Sequence, residues 1–72
     1  MTRDNAEIVG ALEALLFVSD EPVPASRLAK VLDVGVGEVE RTLKALAAEY
    51  AEEDRGFQLR EVAGGWRMYT HP

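Results

Sequence analysis

Gly56-Phe57-Gln58-Leu59-Arg60-Glu61-Val62-Ala63-Gly64-Gly65-Trp66-Arg67-Met68-Tyr69-Thr70 is the stretch that decides the fold. Its apolar residues recur with a period of two, the spacing of a strand with one buried face. Phe57, Leu59, Glu61 and Ala63 fall on one face, and Trp66, Met68 and Thr70 return on the same face. Gly64-Gly65 between the two runs is a two-residue hairpin signal. That turn predicts a register pairing Ala63 with Trp66 and Leu59 with Thr70. Phe57, Leu59, Trp66 and Met68 then gather toward a core, while Gln58, Arg60, Val62, Arg67 and Tyr69 form the opposite face.

Everything before the hairpin reads as helix. A first helix is expected after Asp4, whose carboxylate can cap free N–H groups while Glu7 reaches back, and it runs to Phe17 or Val18. Ile8, Val9, Ala11, Leu12, Leu15, Leu16 and Val18 cover a wide apolar arc. The opposite side holds Ala6, Gly10, Ala14 and Phe17, with Glu7 and Glu13 as its charges, so this helix lacks a polar face and is expected to be buried on most sides. After the turn Ser19-Asp20-Glu21-Pro22-Val23-Pro24, a second helix starts near Pro24 and ends at Leu32, with Leu28, Val31 and Leu32 pointing inward. Asp33-Val34-Gly35 is a tight turn in which Gly35 can supply an unusual backbone angle. A third helix is expected from about Val36 to Asp54, with a narrow stripe of Val39, Leu43, Leu46 and Tyr50, and Gly56 as its stop. Three helices followed by a two-stranded antiparallel wing make an α+β winged helix-turn-helix, one domain over residues 1–72.

Composition narrows the function. The 72 residues carry a net charge of −5, no cysteine and one histidine. A chain this short buries only roughly 60% of its unfolded surface, so a partner or a second copy is a natural source of extra stability. Disulfides and thiolate metal sites are excluded, and no apolar run approaches the ~20 residues that span a bilayer. The N-terminus has no signal-peptide layout, which points to the cytoplasm. His71 lies beside the final proline, Gly35 and Gly37 are followed by no phosphate-loop lysine, and no nucleophile–base pair is evident. Glu49, Glu52, Glu53 and Asp54 could recruit a divalent ion, but a solvated acidic helix end is the better reading. The expectation is therefore a protein without catalytic residues, metal or cofactor.

Two kinds of binding remain. Winged helices commonly lay the third helix in the DNA major groove, and a DNA-binding transcriptional regulator is the alternative reading. Arg41 and Lys44 are the candidates for weak phosphate contacts, yet Glu38 and Glu40 face them and an acidic run follows. Arg27, Lys30, Arg60 and Arg67 read as ordinary surface charges. Protein binding uses features that DNA binding leaves idle. Ala6, Gly10, Ala14 and Phe17 form a strip of mostly small residues against which a second helix could pack, giving a symmetric dimer. The same strip could instead be covered by the domain's own hairpin or turn. Tyr69, facing away from Trp66, is expected to be an exposed aromatic of the type enriched at interfaces.

The residues also resemble a known family. Glu13-Ala14-Leu15-Leu16-Phe17-Val18-Ser19-Asp20-Glu21-Pro22-Val23 is similar to the first helix and turn of the bacterial segregation and condensation protein B family, ScpB. The stretch from Gly56 to Thr70 resembles that family's wing and is the more specific of the two. Leu28-Ala29-Lys30-Val31-Leu32 and Glu38-Val39-Glu40-Arg41-Thr42-Leu43 look like its second and third helices. The resemblance implies an accessory subunit of the SMC condensin-like complex, in which the kleisin ScpA bridges the SMC heads. Such proteins carry two winged-helix domains, dimerise through the first, bind the kleisin, and leave ATP hydrolysis to SMC. The chain ends at Pro72, just after one wing, and is expected to correspond to the N-terminal domain with the second domain absent.

Overall fold

The computed structural model describes residues 5–53 and 56–70, so the Asp4 cap, the end of the third helix at Asp54 and His71 lie outside the described residues. The elements are α1 (Asn5–Phe17), α2 (Ala25–Leu32), α3 (Val36–Glu53), β1 (Phe57–Val62) and β2 (Gly65–Thr70). The strands form one antiparallel hairpin, which gives the expected winged helix-turn-helix order.

Local chemistry sets the boundaries. The Ser19 hydroxyl donates to the Leu15 carbonyl at 2.7 Å, and α1 gives way to the turn there. Pro24, at φ −62° and ψ 143°, opens α2, and its carbonyl accepts from the Arg27 and Leu28 amides. The turn into α3 differs from the sequence expectation. Asp33, rather than Gly35, adopts the left-handed conformation, at φ 57° and ψ 48°. With it the Asp33 amide reaches the Lys30 carbonyl and the Val34 amide reaches Ala29, which closes α2 with a Schellman pattern. Aspartate tolerates this region better than most residues, so glycine is unnecessary. Gly35 instead offers its carbonyl to the Val39 amide at 3.1 Å.

The core is one cluster. Ile8, Leu12 and Leu16 of α1 meet Leu28, Ala29 and Leu32 of α2, Val39, Leu43, Leu46 and Tyr50 of α3, and Leu59 and Trp66 of the hairpin. The α3 stripe is buried as its spacing predicts. In α2 the inward residues are Leu28, Ala29 and Leu32, whereas Val31 is 60% exposed. An eight-residue helix turns one narrow side inward, and Ala29 falls on that side with Leu28 and Leu32 while Val31 falls off it. Helix α1 also departs from expectation. Ile8, Leu12 and Leu16 are buried and Val9, Ala11 and Leu15 partly so, while Ala6, Gly10, Ala14 and Phe17 stay exposed, because α2 and β2 pack against one side of the helix.

The hairpin turn is shifted by one residue from the sequence reading. Ala63 and Gly64 form it, both at positive φ (50° and 77°), the two-residue geometry whose twist suits a hairpin. Val62 therefore pairs with Gly65, Glu61 with Trp66, Arg60 with Arg67, Leu59 with Met68, Gln58 with Tyr69 and Phe57 with Thr70. The physical reason lies at Gly65. Trp66 exchanges two 2.8 Å hydrogen bonds with Val23 in the turn after α1. That contact brings the chain so close that a Cβ on Gly65 would lie 3.0 Å from the Pro22 and Val23 backbone. Gly65 serves this approach, and Ala63 takes the turn position despite its side chain. The face assignment survives, because moving the partner strand by two residues preserves the alternation.

Among the described residues no helix is long and apolar enough to cross a membrane, and no group of three or more His, Cys, Asp or Glu side chains is placed to hold a metal ion.

Candidate functional site

The strip on α1 follows from helical spacing. Ala6, Gly10 and Ala14 recur every four residues and Phe17 closes the row, so all four fall on the side away from Ile8, Leu12 and Leu16. The structure leaves this row exposed. Ala6, Gly10 and Ala14 are all exposed, and a Cβ added to Gly10 would meet nothing within 4 Å. Phe17 is 49% exposed, and Val18 just past the helix is 79% exposed.

One end of the strip touches the hairpin. The Phe17 ring meets Phe57 edge-on at 5.2 Å, and Phe57 meets Tyr50 edge-on at 4.6 Å. The Tyr50 hydroxyl, on a side chain only 1% exposed, donates to Glu13 Oε2. Glu13 thus ties the rim of α1 to the core of α3. This contact joins residues 37 positions apart, so helical periodicity carried no signal for it. The hairpin therefore anchors Phe17 but leaves Ala6, Gly10 and Ala14 open.

Tyr69 stands apart from that strip. It occupies the outer face of the hairpin, opposite the face that carries Phe57, and is half-buried rather than exposed. The Arg67 guanidinium lies over its ring at 5.2 Å. A cation held over an aromatic face covers part of the ring, which explains the difference from expectation.

Arg41 and Lys44 are both exposed on α3. Arg41 lines a groove of ≈ 390 Å³ with Asn5, Val9, Glu38, Thr42, Ala45, Leu46 and Glu49. Glu38 and Glu49 in the same groove offset its charge, so the two cations make no basic patch of their own. The helix as a whole carries Glu38, Glu40, Glu49, Glu52 and Glu53 against Arg41 and Lys44. That balance opposes a phosphate backbone.

Comparison with known proteins adds a family to this geometry. The family model described as "Segregation and condensation complex subunit ScpB" matches residues 10–72. The segregation and condensation protein B of Moorella thermoacetica is 48% identical over 62 residues, covering 86% of this chain and 32% of that protein. A crystal structure of ScpB from Mycobacterium tuberculosis superposes with a TM-score of 0.92 at 41% identity, over 99% of this chain and 44% of that one. A structure described as the dimer of the ScpB N-terminal domain complexed with ScpA peptide superposes with a TM-score of 0.83 at 33% identity. It covers 90% of this chain and 82% of that one. The chain thus spans about a third of the length of the relatives it matches. With the family match running from Gly10 through the wing, and a shared fold that places the same three helices and hairpin, this chain belongs to the ScpB family of segregation and condensation complex subunits.

Proposed function

We propose that this domain is a homodimerisation and partner-binding module of an accessory subunit in a bacterial SMC–kleisin complex, serving chromosome condensation and segregation. The observation that carries the reading is the open row Ala6, Gly10, Ala14 and Phe17 on α1. Small side chains let two helix axes approach closely, and a two-fold axis across the row lets one strip cover its copy. Phe17 and Val18 supply the larger apolar surface at one end of the row. The related structure described as a dimer of the ScpB N-terminal domain complexed with ScpA peptide supports both parts of this proposal, the second copy and the kleisin.

The module acts without chemistry of its own and leaves ATP hydrolysis to SMC. The residue inventory supports this, with no cysteine and a single histidine. It works in the cytoplasm, at the nucleoid, as the N-terminal unit of a longer two-domain protein, and its contact with DNA through Arg41 and Lys44 is weak or indirect. Sedimentation of the purified domain at high micromolar concentration tests the reading. A dimer that co-sediments with the kleisin ScpA is expected. A strict monomer that ignores the kleisin overturns it.

A further inference from the structure

We propose that the outer face of the wing is a second docking surface, built around Arg60 and Arg67, for a protein segment that places carboxylates beside an apolar side chain. It lies on a different element from the α1 strip and does not depend on the dimer proposed above.

The starting observation is a local conflict. Arg60 and Arg67 are directly paired across the hairpin, on the face they share with Gln58, Val62 and Tyr69. Like charges placed opposite one another on one face of a sheet repel and weaken the pairing. Among the described residues neither guanidinium is ion-paired with a carboxylate. The Tyr69 ring offsets part of this repulsion at Arg67, no such contact offsets it at Arg60 among the described residues, and a choice that works against the local structure in this way is characteristic of a functional surface. Arg67 sharpens the case. It is half-buried, and its Nε is shut off from solvent with no hydrogen-bond partner among the described residues. Its guanidinium is held over the Tyr69 ring, which restricts the side chain before any ligand arrives.

Shape adds the apolar half of the ligand. Arg60 also borders a groove of ≈ 230 Å³ between α3 and β1, lined by Ala47, Ala51, Gln58 and Leu59. The two alanines leave space for an incoming apolar side chain, while Arg60 at the groove and Arg67 paired with it across the hairpin take one or two carboxylates in charge-assisted bonds. A peptide suits this face better than duplex DNA. Nucleic acid carries a charge every ~1.7 Å of helix axis and meets a protein of net charge −5 whose neighbouring α3 bears five glutamates. A short acidic segment carries few charges and reaches the two arginines locally.

Fluorescence anisotropy of the 72-residue chain with a labelled peptide of alternating glutamate and leucine tests the proposal, with a glutamine–leucine peptide and a short labelled duplex DNA alongside. The acidic peptide is expected to bind, and the glutamine peptide to bind far more weakly. Arg67→Gln and Arg60→Gln should each weaken binding by roughly tenfold, with Arg67→Lys between them and the unsubstituted chain. The thermal midpoint of Arg60→Gln should be unchanged or raised, because the repulsion is removed. Lys30→Gln, an exposed cation on α2, should leave peptide binding intact, which separates this face from a general effect of charge. Absence of acidic-peptide binding, or binding indifferent to both arginine substitutions, overturns the proposal. Duplex DNA that binds through the same arginines and displaces the peptide overturns it as well.

Discussion

On one side of α1, Ile8, Leu12 and Leu16 are each no more than 1% exposed, and on the other Ala6, Gly10 and Ala14 lie open to solvent. Both rows are apolar, and hydropathy alone does not tell them apart. Size does. The bulky row reaches across to α2 and the hairpin and fills the core, since a buried leucine or isoleucine contributes about 1.5–3 kcal/mol. The small row offers little area to its own domain, but it provides a flat track along which another helix can lie. One helix thus holds the fold together with one side and, in the reading proposed here, joins two copies with the other.

The comparison breaks most visibly at Leu12. Leu12→Ala removes a fully buried side chain and should cost about 2–5 kcal/mol, enough to unfold much of so small a domain. Chemical denaturation monitored by circular dichroism measures it, and a loss well under 1 kcal/mol would mean that α1 does not anchor the core. The buried side also depends on the hairpin being held against the turn after α1. Gly65→Ala would put a Cβ 3.0 Å from Pro22 and Val23, and should destabilise by about 1–3 kcal/mol. Amide exchange at Val23 and Trp66 should quicken in that variant, since their mutual hydrogen bonds are the ones pushed apart.

Between the two sides of α1 sits Glu13, bound to the Tyr50 hydroxyl. Tyr50→Phe removes that bond with little change in shape, and a loss of about 1 kcal/mol is expected in the same denaturation assay. On the open side the sign reverses. Gly10→Ala meets no neighbour, so its effect on the monomer is the helix-propensity gain of about 0.5–1 kcal/mol. A destabilising Gly10→Ala, measured on the monomer, would show that the strip is not open.

Much of this arrangement is legible in the residues, for reasons of period. Val39, Leu43, Leu46 and Tyr50 announce the buried face of α3, and Phe57, Leu59, Trp66 and Met68 announce the inner face of the wing. What escaped depends on contacts distant in sequence. Gly64-Gly65 looks like a turn pair until Val23 is known to lie against Gly65, and only then do Ala63 and Gly64 become the turn. The same shift brings Arg60 opposite Arg67, so this pairing is absent from the sequence-based register. Val31 reads as inward by hydropathy, yet the short α2 turns Ala29 to the core in its place. The row Ala6, Gly10, Ala14 and Phe17 is visible as a strip, but the residues alone leave open whether a partner or the domain's own hairpin covers it, because that depends on contacts distant in sequence.

Sedimentation equilibrium of the unsubstituted chain beside Gly10→Glu tests the central claim most directly. In the monomer the new glutamate projects into open space, and its repulsion from Glu7 and Glu13, a few tenths of a kcal/mol, is offset by the helix propensity gained over glycine. In a symmetric dimer it sets two charges against each other at a close helix contact. The account predicts a dimer for the unsubstituted chain and a folded monomer for the variant, with matching circular dichroism spectra. A Gly10→Glu chain that dimerises as tightly as the unsubstituted one would contradict it.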